Sequence, residues 1–121
     1  MSEQLTGSRA PAVSEVMSSL QFQDELLRVA RFDLPHAGRD PLAEAVQTIQ
    51  DNPAFAQSRL LGRLLAALTY QRGEFRRAEA AALDLQTRRV VIALINASRA
   101  GTTERDDWVN AVTAAELAQA G

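Results

Sequence analysis

The only histidine of this chain, His36, lies between Asp33 and Asp40 in a segment that also contains proline and glycine. Imidazole and carboxylate groups bind zinc, and they also transfer protons during catalysis. Helical metal sites place such ligands at short, regular spacings, but the chain has no Glu-x-x-His and no His-x-x-x-His. We therefore interpret His36 as a solvent-exposed loop residue and predict no metal ion and no other cofactor.

Two pairs of adjacent acids, Asp24-Glu25 and Asp106-Asp107, are the other candidates for acid–base chemistry. Adjacent positions on a helix point about 100° apart, so neither pair shares a proton easily. The second pair falls in a predicted first helical turn, where negative charge stabilises the helix. The chain also lacks a Gly-x-Ser-x-Gly sequence and a glycine-rich phosphate loop. We predict a protein that is not an enzyme.

Arginine is the most unevenly distributed residue type. The chain has thirteen arginines and no lysine, and the segment from Arg59 to Arg99 holds eight of them against three acids, a balance of +5. The remainder carries −7, because five arginines stand there against twelve acids. This polarity predicts either a surface for an acidic partner or acidic segments that fold back over the basic middle. The candidate partner-binding residues, whose guanidinium groups can bind carboxylates in a fork, are Arg59, Arg63, Arg76, Arg77, Arg88 and Arg89.

These observations favour a non-enzymatic helical interaction module, such as an adaptor, a chaperone-like binder or a subunit of a complex. A nucleic-acid-binding regulator is an alternative, because paired arginines also bind phosphates. The overall pI of about 5.4 argues against nucleic acid as the main partner. Without cysteine, a long apolar run or a signal-peptide pattern, the chain is expected to be cytoplasmic and not to enter a membrane.

The missing lysine supports a third reading, a secreted or translocated bacterial effector or a fragment of one. Loss of lysine would avoid ubiquitin attachment inside a eukaryotic host. The polar N-terminus, with Ser2, Gln4, Thr6 and Ser8, is compatible with an uncleaved export signal. A genome with high GC content explains the same composition through its arginine codons, so the absence of lysine is either functional or a codon bias.

Helical periodicity and helix-terminating residues divide the chain into elements. Residues 1–11 are expected to be disordered, and 12–121 to form a single helical domain. The patterns predict a helix from Pro11 to before Asp33, a restart at Asp40-Pro41, a third helix from Pro53 to Arg72 that ends at Gly73, and a fourth from Glu74. Asn52 is read as the cap of the third helix, and Thr103 as the cap of the last. The predicted fold class is all-α, a small antiparallel bundle or stacked helical hairpins of four to five helices.

The apolar run from Val90 to Ile95 fits either a buried strand or a buried helix. No other segment of the sequence offers it an evident strand partner, and a lone strand leaves its backbone groups unpaired. We therefore predict a helix that reaches about Ala100.

The first predicted helix has two apolar rows. Val13, Met17 and Leu20 form one row, and Phe22, Leu26 and Val29 form the other. In a small domain a second apolar surface is often covered by another copy of the chain. We therefore predict a homodimer whose interface contains Phe22, Leu26 and Val29.

Residues 70–78, with the sequence YQRGEFRRA, resemble the turn between the two helices of a tetratricopeptide repeat. The shared features are a tyrosine, a glycine, an acidic residue, an aromatic and an alanine at similar spacing. The resemblance covers one repeat, and Ala82 and Val90 stand where the family places an aromatic and a proline. It implies two helices in direct succession, with Gly73 turning the chain and Phe75 packing back between them.

Overall fold

The computed structural model describes residues 15–30 and 40–120. This part of the chain contains six helices and one short two-stranded antiparallel ribbon. In chain order the elements are β1 (Val16–Ser18), α1 (Ser19–Val29), α2 (Pro41–Asp51), α3 (Ala56–Tyr70), β2 (Glu74–Arg76), α4 (Arg77–Ala82), α5 (Leu85–Ala100) and α6 (Arg105–Ala120). The all-α prediction is confirmed, although there are six helices and not four to five. The predicted disorder of residues 1–11 lies outside the described residues.

The ribbon formed by β1 and β2 is the main departure from the sequence prediction. Met17 pairs with Phe75 at its centre, and both side chains are buried while their strand neighbours are exposed. The predictions of a helix that already includes Met17 and of another that begins at Glu74 are therefore wrong. Each strand has three residues, which is too short for the alternation of buried and exposed positions to be recognised in the sequence.

Local capping decides where α1 and α2 begin. The Ser18 hydroxyl accepts the Gln21 backbone N–H, and the Gln21 side chain accepts the Ser18 N–H in return, so α1 starts at Ser19 with a capping box. Asp40 caps α2 as predicted, since its carboxylate accepts the Leu42 N–H at 3.1 Å, and Pro41 occupies the first helical position.

The Asn52-Pro53 pair does not repeat that arrangement. Asn52 ends α2 by donating its backbone N–H to the Thr48 carbonyl at 3.2 Å, and its own carbonyl accepts the Phe55 N–H in a turn. Helix α3 therefore begins at Ala56, with Phe55 and not Asn52 at the cap position.

The left-handed residue that ends α3 is Gln71, with φ of 55°, whereas the predicted cap, Gly73, follows with φ of 111°. Helix α5 is continuous from Leu85 to Ala100 and ends in a left-handed Gly101, so the helical prediction for Val90–Ile95 is confirmed. The predicted Thr103 cap lies two residues before α6, which begins at Arg105, and the Glu104 carbonyl accepts the N–H groups of Asp107 and Trp108.

Helices α3 and α5 contact each other at the centre of the domain. Helix α2 packs on both, α6 packs on α2 and α3, and α1 contacts α3, α4, α5 and the ribbon. The leucines that lie three and four residues apart along α3 (Leu60, Leu61, Leu64, Leu65 and Leu68) are all buried in this core. No helix within the described ranges is long and apolar enough to cross a lipid bilayer.

Candidate interaction surface

Arg63 and Glu79 close the outer edge of the ribbon. The Arg77 N–H donates to the Glu15 carbonyl at 2.9 Å, and the strand register then leaves the backbone groups of Glu74 and Arg76 facing away from β1. Arg63 Nη2 donates to the Glu74 carbonyl at 2.8 Å, and the Arg76 N–H donates to Glu79 Oε1 at 2.8 Å. Since Arg63 and Glu79 also form an ion pair with each other, they bind these two backbone groups on the exposed edge of β2 together.

Glu79 is held in its charged form. Partial burial opposes ionisation, but the hydrogen bonds from Arg63 and the Arg76 backbone, together with the charges of both arginines, outweigh it and lower the pKa of Glu79 below its ordinary value of 4.5. The carboxylate therefore stays negative at neutral pH and keeps Arg63 in place.

Arg59 and Arg76 complete a basic surface around this ion pair. Arg59 lies four residues before Arg63, so both project from the same side of α3, and it is exposed. Within residues 15–30 and 40–120 its guanidinium forms no ion pair or hydrogen bond. We call the set Arg59, Arg63, Glu74, Arg76 and Glu79 the α3–ribbon surface. The structure thus brings together three of the six arginines that the sequence singled out.

Two other basic residues are neutralised by acids of α1. Arg99 donates to Asp24 at 2.9 Å, and Arg77 lies 3.6 Å from Glu25. The adjacent acids Asp24 and Glu25 therefore bind different arginines, as their divergent directions on a helix require. For this part of the chain, the acidic segment does fold back over the basic middle, which was one of the two alternatives left open by the charge pattern.

The remaining candidates are dispersed. Arg88 and Arg89 are half-buried on α5. Asp106 and Asp107 are exposed in the first turn of α6. His36 and Asp33 lie outside the described residues, while Asp40 serves as the cap of α2. Among the residues that the structure describes, no three His, Cys, Asp or Glu side chains are grouped closely enough to hold a metal ion.

The three residues proposed for a dimer interface separate into two groups. Phe22 and Leu26 are 0% and 1% exposed, because they pack into the core of their own chain. Val29 is 51% exposed, and Leu20, assigned to the other row, is exposed as well. In this conformation only Val29 of the three is accessible to a second copy. The homodimer stays a prediction, and its interface would require exposed residues of α1.

A cluster around Tyr70 was not predicted from the sequence. Tyr70, at the end of α3, is 40% exposed, and the guanidinium carbons of Arg72 and Arg105 lie 5.2 and 5.6 Å from the centre of its ring. Arg105 is fixed by donating Nη1 to the Thr69 carbonyl at 2.8 Å. Residues two apart on a helix do not face each other, and Arg105 belongs to α6, so no local signal in the sequence indicates this cluster.

The segment that resembles a tetratricopeptide turn adopts a different structure. Residues 74–76 are a strand paired with β1, and the helix that follows, α4, has six residues. Phe75 does pack inward, as the resemblance implied, but it does so from the ribbon. Comparisons of the chain with protein-family models, with curated proteins and with solved structures found no match.

Proposed function

We propose that this chain is a protein-interaction module that binds an acidic segment of a partner protein on the α3–ribbon surface. The observation that carries the proposal is the contrast between Arg59 and Arg63. The Arg63 guanidinium binds the Glu74 carbonyl and Glu79, whereas the guanidinium of Arg59, one turn away, is exposed and makes no polar contact within the described residues. A carboxylate of a partner would therefore pair with the guanidinium of Arg59, which lies beside the already ordered guanidinium of Arg63.

A protein partner is favoured over nucleic acid by the acids in the same surface. Glu74 is exposed, and the lowered pKa of Glu79 keeps its carboxylate charged between Arg63 and Arg76. A nucleic-acid backbone presents closely spaced phosphates, and it would be repelled by these two acids. A short acidic peptide can place its carboxylates at Arg59 and Arg76 and keep them away from Glu74 and Glu79.

The test is a capture experiment from a lysate of the source cells with matched charge reversals. Arg59→Glu should reduce recovery of the partner by about tenfold, since a favourable charge contact becomes repulsive. Arg28→Glu is the control, because Arg28 is also exposed but belongs to α1 and not to the α3–ribbon surface. Recovered proteins are identified by mass spectrometry, and the capture is repeated after nuclease treatment.

Equal recovery by the Arg59→Glu variant would contradict the proposal. A capture that disappears after nuclease treatment would instead support the nucleic-acid alternative. Both kinds of partner are sensitive to salt, so the nuclease arm and not the salt dependence separates them.

A further inference from the structure

The solvent-facing side of α3 extends beyond the α3–ribbon surface. Arg59, Arg63 and Tyr70 are exposed and Ala66 is half-buried, whereas most of the other positions between 59 and 70 are buried. These four residues follow one another at intervals of three or four positions, so they form one row along the helix. At a rise of 1.5 Å per residue, Arg59 and Tyr70 are about 16 Å apart along this row.

The far end of the row carries two arginines that are held against the ring of Tyr70. The guanidinium carbons of Arg72 and Arg105 lie 5.2 and 5.6 Å from the centre of that ring, which is a cation–π distance. Arg105 also donates Nη1 to the Thr69 carbonyl at 2.8 Å, in the last turn of α3, where carbonyl groups lack helical partners. Both cations are therefore ordered before a partner binds, which lowers the entropic cost of binding. We call Tyr70, Arg72 and Arg105 the Tyr70 cluster.

The turn that carries Arg72 has an uncommon backbone conformation. Gln71 has φ of 55°, a left-handed region that residues with a Cβ atom rarely adopt. This turn ends α3, and it brings the guanidinium of Arg72 back over the ring of Tyr70. Strained backbone of this kind is concentrated at functional sites. The conformation of Gln71 thus supports a binding role for the Tyr70 cluster.

The two arginines of the cluster differ in their charge balance from others on this fold. Carboxylates pair with four other arginines, Arg28, Arg63, Arg77 and Arg99. Within residues 15–30 and 40–120, no carboxylate forms an ion pair with Arg72 or Arg105. Two positive charges held against one ring repel each other, and an anion that binds there removes this repulsion. The cluster is therefore suited to bind acidic groups from another molecule.

We propose that the Tyr70 cluster is a second binding point for the acidic protein segment that binds the α3–ribbon surface. This inference rests on the proposed function, and it adds a constraint on the partner. An extended chain rises about 3.3 Å per residue, so about five residues span the distance from Arg59 to Tyr70. The partner segment therefore carries two groups of acidic residues at about this spacing.

Neighbouring acids favour a peptide over a nucleic acid at this end as well. Glu104, Asp106 and Asp107 flank Arg105 in the sequence, and all three are exposed. The closely spaced phosphates of a nucleic-acid strand would be repelled by these carboxylates. A peptide can place one pair of acidic side chains at the cluster and keep uncharged residues beside it.

Two synthetic octapeptides of identical composition test the spacing. N-acetyl-Glu-Glu-Ser-Ala-Ser-Ala-Glu-Glu-amide is the spaced peptide, and N-acetyl-Ser-Ala-Glu-Glu-Glu-Glu-Ser-Ala-amide is the clustered control of equal charge. In NMR titrations of the labelled protein, we expect the spaced peptide to bind about fivefold more tightly, because binding at one point raises the effective concentration of acids at the other. Equal affinity, or tighter binding of the clustered peptide, would overturn the proposal.

Charge reversal at Arg72 locates the second point. Arg72→Glu should weaken binding of the spaced peptide about tenfold, since an attractive contact becomes repulsive. Arg28→Glu, an exposed reversal on α1, should bind as the wild type does. Tyr70→Leu, which removes the ring that orders both guanidinium groups, is the second variant should Arg72→Glu fail to fold, and about threefold weakening is expected. Unchanged affinity in a folded variant refutes the assignment.

The variant Arg59→Glu separates this inference from the proposed function. If Arg59→Glu weakens the spaced peptide and Arg72→Glu does not, the Tyr70 cluster is refuted and the proposed function stands. If only Arg72→Glu weakens it, the cluster binds acidic groups and the α3–ribbon surface is refuted as the partner site. An octathymidylate strand that binds more tightly than the spaced peptide would overturn a protein segment as the occupant.

Discussion

The rings of Phe22 and Phe75 stack with their centres 4.3 Å apart and their planes inclined by 13°. Phe22 belongs to α1 and Phe75 to β2, and neither is more than 1% exposed. The guanidinium carbon of Arg63 also lies 5.0 Å from the centre of the Phe75 ring. One aromatic pair therefore joins α1 to the ribbon, and it places the ribbon beside the basic side of α3.

The stack should appear as a coupling energy between the two positions. Phe22→Leu and Phe75→Leu should each lower the free energy of unfolding by about 1–2 kcal/mol, because each removes buried apolar surface. The loss of unfolding free energy in the double variant should be about 0.5–1.5 kcal/mol smaller than the sum of the two single losses. The reason is that the stacking interaction is already absent from each single variant and is counted only once in the double variant. Urea denaturation of the four proteins measures this cycle.

A distant pair provides the control for that cycle. Ile49 is fully buried on α2, a helix that packs on α3, α5 and α6. Phe22→Leu combined with Ile49→Val should be additive within about 0.5 kcal/mol. Additivity of the Phe22 and Phe75 variants would show that the stack contributes nothing beyond burial.

Closure of the ribbon edge by Glu79 should make stability depend on pH. The pKa of Glu79 is lower in the folded chain than its ordinary value of 4.5, so its contribution is fully present above that value and is lost as the pH falls through the folded pKa. Glu79→Gln should therefore destabilise the protein at neutral pH, by about 1–2 kcal/mol for a partly exposed hydrogen-bonded pair. The difference from the wild type should shrink below pH 4.5.

Thermal unfolding of both proteins from neutral to acid pH tests this dependence. Glu74→Gln is the matched control, because Glu74 lies on β2, at the edge that Glu79 closes, and takes part in this edge through its backbone carbonyl. A constant difference between Glu79→Gln and the wild type at every pH would show that the effect arises from packing and not from the charge.

Features that depend on neighbouring residues could be predicted from the sequence. The Asp40 cap, the leucine rows of α3 and the left-handed Gly101 after α5 each follow from a few adjacent positions. The ribbon could not be predicted, because Met17 and Phe75 pair across 58 positions and only three residues on each side take part. The arginine surface was recognised as a charge excess, but the acids that bind Arg77 and Arg99 come from α1. Charge counting along the chain does not reveal such pairs.

Gly62 is a helical glycine that costs stability. It lies within α3, where alanine is favoured over glycine by about 1 kcal/mol. A Cβ atom at this position would come within 2.7 Å of Gln119 Oε1, at the flexible end of an exposed side chain on α6 that can move away. We expect Gly62→Ala to raise the free energy of unfolding by about 0.5–1 kcal/mol.

Urea denaturation tests this expectation with two proteins, the single variant Gly62→Ala and the double variant that combines Gly62→Ala with Gln119→Ala. If the clash is relieved by rotation of Gln119, the two should be equally stable within about 0.3 kcal/mol. A loss of stability in the single variant that the second substitution restores would show that Gln119 is held in place.

Each of the two central helices, α3 and α5, ends in a left-handed residue. Gln71 ends α3 with φ of 55°, and Gly101 ends α5 with φ of 68°. A residue with a Cβ atom pays about 1 kcal/mol or more in this region, whereas glycine does not. Gln71→Gly should therefore raise the free energy of unfolding by about 0.5–1 kcal/mol, which corresponds to a rise in Tm of about 2–6 °C. Gly101→Ala should lower the free energy of unfolding by a similar amount. This loss reports only the cost of the left-handed backbone conformation, because a Cβ atom at this position meets nothing within 4 Å. Differential scanning calorimetry should show opposite shifts for the two variants, and shifts in the same direction would mean that side-chain contacts of Gln71 outweigh its backbone strain.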